Sequence, residues 1–102
     1  MSKAEKHEHG YAKDKAALTK RLHRIEGQVR GVERMIEEDR YCIDILTQIA
    51  AVRTALEQVA AKLLEDHVTH CVAEALASGD AAVAGEKSEE LLAAVQRFSR
   101  TR

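Results

Sequence analysis

Two cysteines and a close pair of histidines hold the chemistry this chain is best equipped to do. His67 and Cys71 are four residues apart. On a helix that spacing puts both on one face, with Cβ atoms about 5–6 Å apart. A thiolate and an imidazole so placed form a two-point chelate for a metal ion. His70 is three residues from His67 but adjacent to Cys71, so it points partly away. Cys42 precedes His67 by 25 positions, which on a continuous helix is about 37 Å of rise. One ion cannot bridge that distance within a chain. Cys42 and His67 nonetheless fall on one seam, Cys42, Leu46, Ile49, Arg53, Leu56, Ala60, Leu63, His67 and His70. Two such helices packed antiparallel, crossing near residue 56, would bring Cys42 of one to His67 and Cys71 of the other. A symmetric dimer would own two identical sites, each built across the interface. Two thiolates and one imidazole form a soft set, and three such ligands suit Cu(I). Zn(II) would want a fourth ligand, from His70 or water. The plainer alternative is two buried cysteines acting as small hydrophobes beside a surface histidine pair. A Cys–His pair can also make a nucleophile, but no oxyanion donors or orienting third group accompany it, so an enzyme is not expected.

Such residues need helices to hold them, and the composition supplies little else. The chain has 102 residues with no Pro, no Trp and three aromatic residues, Tyr11, Tyr41 and Phe98. That is poor material for a β-sandwich or barrel and good material for long helices. One all-α domain over 15–102 is expected, after a flexible polar tail over 1–14 whose His7 and His9 read as solvated side chains. Helices are expected over about 15–38, 41–77 and 86–98. In the first, Leu18, Leu22, Ile25, Val29, Val32 and Ile36 alternate spacings of four and three, an apolar seam of coiled-coil type. Gly27 and Gly31 share a face of it, where a neighbouring backbone could approach closely. Asp39 is the expected N-cap of the second helix, and Gly79 its terminator. Residues 81–85 read as loop or frayed turn, with Ser88 an alternative cap for a third helix whose apolar side is Leu91, Leu92, Val95 and Phe98. A second helix spanning 41–77 is far longer than the mean of ~11–12 residues. One small chain cannot cover both its faces, so an obligate helical oligomer follows. No apolar run approaches the ~18 residues of a membrane span, and no signal-peptide pattern follows Met1. A cytoplasmic protein with its cysteines as thiols or metal ligands is expected.

The net charge of −1 hides an asymmetry. Residues 1–36 carry nine Lys/Arg against five Asp/Glu, and residues 37–102 carry seven against twelve. A basic first third suits an anionic partner such as nucleic acid. With a pI near 6.5, several copies of that basic face would be needed on one assembly.

RLHRIEGQVRGVERMIEEDRYCIDILTQIAAVRTAL, residues 21–56, followed by LLEDHVTHCVAEALASGD, residues 63–80, resembles the CsoR/RcnR family of bacterial metal-sensing transcriptional repressors. The likeness extends over about residues 15–99. It implies a three-helix protomer, an antiparallel four-helix-bundle dimer and dimers paired into a homotetramer. In this family the ligand pattern separates the branches. Cys, then His, then Cys on the second helix marks the copper branch, and Cys42, His67 and Cys71 match all three. The nickel/cobalt branch has His where Cys71 stands, and the persulfide-sensing branch lacks the His at 67. The resemblance also implies that Tyr41 and Glu90 lie beside the ligands, and that operator DNA is met by basic helix surfaces without a helix-turn-helix. Arg21 matches the family's basic position there. Lys20, Arg24, Arg30 and Arg53 join it on grounds of charge. The function implied is a Cu(I)-responsive repressor, bound to its operator when metal-free and released by copper, so that efflux or resistance genes are expressed. No membrane or small-molecule substrate is implied. Sensing of zinc, nickel/cobalt or reactive sulfur is the alternative within the family, and a copper-buffering bundle that never touches DNA the alternative outside it.

Overall fold

The computed structural model describes residues 9–100, so His7 lies outside the described residues. It is all helical, with no strand among those residues. A 3₁₀ turn at Ala12–Asp14 leads into α1 (Lys15–Glu37). Then follow α2 (Cys42–Asp66), a π-helical segment (His67–Val72), α3 (Ala73–Ala77) and α4 (Ala81–Arg100). The chain divides into two compact units, Tyr11–Leu64 and, among the described residues, 9–10 with 65–100.

In the first unit α1 folds against α2. Leu18 and Ile25 are buried with Val59, and Val52 and Ala55 pack on them. Only one edge of the expected α1 seam is used this way. Leu22, Val29 and Ile36 stay exposed, as do Leu46, Ile49 and Leu56 of α2. The last residues of the expected tail are held in place. Asp14 Oδ2 lies 3.6 Å from Lys62 Nζ, and Ala12–Asp14 form their own turn.

The turn between α1 and α2 corrects the reading of Asp39. It is not the N-cap of α2 but the residue that ends α1, at φ +56°. The Asp39 N–H donates to the Ile36 carbonyl at 3.1 Å, and the Arg40 N–H to the Met35 carbonyl at 3.0 Å. These are the paired bonds of a Schellman ending, whose left-handed position favours Gly and admits Asp only at some cost. The start of α2 falls to Tyr41, whose carbonyl accepts from the Asp44 and Ile45 N–H groups at 3.1 and 3.2 Å. Asp39→Gly should therefore stabilise the chain by about 0.5–1 kcal/mol, read as a higher urea midpoint at unchanged slope. A lower midpoint would mean that the Asp39 side chain contributes something this turn geometry does not contain.

The second unit begins at the π segment. The Ala73 N–H reaches the Val68 carbonyl, five residues back. The Thr69 hydroxyl donates to the Glu65 carbonyl at 3.0 Å. Val72 and Ala75 are buried, and the segment packs against α4. Gly10 is buried too, since a Cβ there would collide with the Asp66 carbonyl. Gly79 ends α3 at φ +78°, as expected. The start of α4 is a second correction. It begins at Ala81, not near residue 86, because Asp80 Oδ1 accepts from the Ala82 and Val83 N–H groups at 3.0 and 3.3 Å. Residues 81–85 are thus the first turn of a capped helix. Ser88 lies inside it, its hydroxyl donating to the Ala84 carbonyl at 2.9 Å. Asp80→Ala should cost about 1 kcal/mol and fray these residues first, visible as faster amide exchange over 81–85 than over the rest of α4.

Candidate metal centre

His67 opens the π segment and Cys71 lies within it. A straight α-helix was the expected setting. The π register inserts extra backbone into the turn that carries both candidate donors, a distortion found mostly as a single turn and frequently at functional sites. Both side chains are partly buried, and Cys71 is a free thiol. Packing of the segment against α4 brings an acid to the imidazole. Glu90 Oε1 lies 3.8 Å from His67 Nε2, and the same oxygen is 3.6 Å from Lys87 Nζ. The Nε2 edge of the ring thus faces the acid, at a distance beyond hydrogen-bond range. His70 turns elsewhere, its Nε2 lying 3.8 Å from Glu74 Oε2.

Cys42, also a free thiol, is the first residue of α2 and is exposed, as is Tyr41 beside it. Both belong to the Tyr11–Leu64 unit, whereas His67, Cys71 and Glu90 belong to the other. Among the described residues no three of His, Cys, Asp and Glu gather into a group that could hold a metal. The residue that sequence reasoning passed over is Asp66, which is only 2% exposed. Its neighbours Glu65 and His67 are more exposed, and nothing in the local pattern distinguishes it from a solvated acid. In the structure its backbone lies against Gly10, whose missing side chain admits it, a tertiary contact that the sequence does not announce.

Lys20, Arg21, Arg24 and Arg30 are all exposed on α1. Arg53 is exposed on α2 rather than buried in its seam, with Nε 4.0 Å from Glu57 Oε1. Its charge is partly matched, unlike those on α1. Among the described residues no helix is long and apolar enough to cross a membrane.

The family model for metal-sensitive transcriptional repressors matches residues 14–97. The copper-sensing transcriptional repressor RicR of Mycobacterium tuberculosis is 54% identical over 93 residues, covering 91% of this chain and 96% of that protein. Among solved structures, the copper-sensing repressor CsoR with Cu(I) from Geobacillus thermodenitrificans superposes with a TM-score of 0.76 at 50% identity, covering 85% of this chain and 88% of that one. The nickel-responsive transcriptional regulator InrS superposes with a TM-score of 0.70 at 43% identity, covering 81% and 90%.

Proposed function

Because the chain belongs to the metal-sensitive transcriptional repressor family, we propose that it is a Cu(I)-responsive repressor that holds operator DNA when metal-free and lets it go when copper binds. The observation that carries the metal is the donor set. His67 and Cys71 share one short segment, with Glu90 at 3.8 Å from the imidazole, and the second thiol, Cys42, stands exposed at the head of α2. Cys42 of one protomer and His67 with Cys71 of another would hold the ion. Two thiolates with one imidazole favour soft Cu(I) over nickel, which prefers nitrogen and oxygen donors. Similarity to copper-sensing repressors at 50–54% identity points the same way. The proposed working form is a homodimer paired into a homotetramer in the cytoplasm, where the DNA is. Exposed apolar residues on both α1 and α2 support a second copy covering them.

When bound, the metal supplies a link between two protomers. The rest of the work belongs to this chain. Glu90 on α4 faces the Nε2 edge of the His67 imidazole. A change at His67 therefore reaches α4 through that contact, while Tyr41 stands beside the other thiol. Lys20, Arg21, Arg24 and Arg30 on α1, with Arg53 on α2, give the assembly its phosphate contacts. Copper weakens DNA binding only to the extent that it binds the DNA-free arrangement more tightly. The test is DNA affinity by fluorescence anisotropy, anaerobic and fully reduced, with and without one Cu(I) per protomer. A weakening of about 5–150-fold is the size expected of such coupling. Equal affinity at full occupancy would defeat the mechanism. Release by Zn(II) or Ni(II) but not Cu(I) would reassign the signal. Release by a persulfide alone would make Cys42 and Cys71 a redox pair.

A further inference from the structure

The outward face of α1 is chemically uniform in a way the charge count alone does not reveal. At ~100° per residue, Lys20, His23, Arg24, Gly27, Arg30, Gly31 and Arg34 fall within about 120° of the helix circumference. The buried Leu18 and Ile25 and the exposed Leu22, Val29 and Ile36 occupy the other side. No carboxylate stands among these positions between Lys20 and Arg34. Glu26 flanks the face and lies 3.5 Å from His23 Nδ1, with both side chains open to solvent. Among the described residues, no acid pairs with Lys20, Arg24, Arg30 or Arg34. At its N-terminal end the face runs into a groove of about 700 Å³ lined by Lys13, Lys15, Thr19, Lys20 and His23, again without a carboxylate.

Gly27 and Gly31 sit in the middle of this face. Neither is needed by the fold around it. A Cβ at Gly27 would meet only the Arg30 guanidinium, at 4.0 Å, and one at Gly31 would meet nothing within 4 Å. Both are helical, so neither needs a left-handed backbone. Two interior helix glycines that no intramolecular contact requires are a standing loss of stability. What they create is a bare strip of backbone between cations, about 21 Å of helix from Lys20 to Arg34. That length spans roughly six phosphate steps at 3.4 Å of duplex axis per phosphate on one strand.

We infer that this face of α1 receives the sugar–phosphate backbone of double-stranded DNA, with Gly27 and Gly31 marking the closest approach and His23 and Arg34 adding contacts to those of Lys20, Arg24 and Arg30. The inference rests on the DNA-binding reading above and adds how the helix and the duplex meet. A side chain at either glycine would hold the phosphates away from the flanking cations and weaken several contacts at once.

The test separates stability from binding, because the two should move in opposite directions. The probe is a labelled duplex selected by the wild-type protein from a random pool. Gly27→Ala with Gly31→Ala should raise the melting temperature, by about 2–4 °C per interior Gly at the size of a dimer. It should lower duplex affinity by at least about tenfold and flatten the salt dependence by roughly one phosphate contact or more. Gly27→Leu with Gly31→Leu should weaken binding further at unchanged oligomeric state. Arg34→Ala should flatten the salt slope by about 0.9. Retention of wild-type affinity by both glycine pairs would overturn the inference while leaving DNA binding intact. A shift in oligomeric state by sedimentation would also overturn it, assigning the strip to a second copy of the chain. Failure of the wild-type protein to select any duplex would remove the DNA-binding reading itself. Equal binding to single-stranded RNA or to anionic vesicles would make the face a general polyanion surface and overturn it as well.

Discussion

Cys42→Ala is expected to abolish the copper response and leave metal-free DNA binding in place. Cys42 is the first residue of α2, exposed and no part of the Leu18, Ile25 and Val59 core. Its truncation removes no packing and leaves no buried polar group unpaired, so stability should move by less than about 0.5 kcal/mol. If it is one of three metal donors, the loss is of another order. Removing a group that merely supports a ligand costs roughly 10–100-fold in metal affinity, and removing a ligand should cost more. A Cu(I) competition titration should show a drop beyond about 100-fold, with anisotropy showing operator binding that copper no longer reverses. Cys71→Ala and His67→Ala should do the same, with a larger stability change because both are partly buried. Glu90→Gln should behave differently, retaining most of the metal affinity but a smaller release of DNA, since it alters what His67 transmits rather than what it binds. An unfolded Cys42→Ala chain would instead vindicate the plainer view of cysteine as a small hydrophobe.

What could be read from residues alone follows the physics of each feature. The helices were legible because Leu18, Leu22, Ile25, Val29, Val32 and Ile36 repeat at a helical period and Gly79 ends what precedes it, as its φ of +78° bears out. The two turns were less legible because Asp serves two opposite purposes. At Asp80 its carboxylate caps a helix start. At Asp39 its backbone bends into the left-handed region to close a helix end. Only the hydrogen-bond register tells these apart, and register leaves no mark on composition. The π segment escaped for the same reason, since His67 and Cys71 are four apart in either register. Glu90 was reachable only through family resemblance. Its nearness to His67 depends on how α4 packs against the π segment, a tertiary fact no local pattern contains. The pairing of Cys42 with His67 and Cys71 was argued from a seam shared by two chains, and one chain by itself leaves it a proposal.

Leu56→Glu is expected to have the largest effect on the assembly, and through it on everything else. Leu56 is 46% exposed in the single chain and stands at the proposed crossing point of two antiparallel α2 helices. Leu46, Ile49, Leu22, Val29 and Ile36 are exposed as well, an apolar surface beyond what scattered surface residues account for. Burying the half of a Leu side chain that the single chain leaves exposed contributes about 0.7–1.5 kcal/mol. Two-fold symmetry counts each substitution twice, and the two new carboxylates facing each other at the crossing add about 1–3 kcal/mol of desolvation. A weakening of dimerisation by roughly 3–6 kcal/mol follows, about 10²–10⁴-fold. Sedimentation equilibrium should find monomer at concentrations where the wild-type chain is oligomeric. The monomer should keep part of its helical circular dichroism, because Leu18, Ile25 and Val59 pack within one chain. It should lose both DNA and Cu(I) affinity together, since each proposed metal site takes donors from two protomers and a single α1 face carries too few phosphate contacts. That joint loss is the informative result. A monomer that still bound Cu(I) tightly would place all three donors within one chain, and an unchanged oligomer would move the interface off this face of α2.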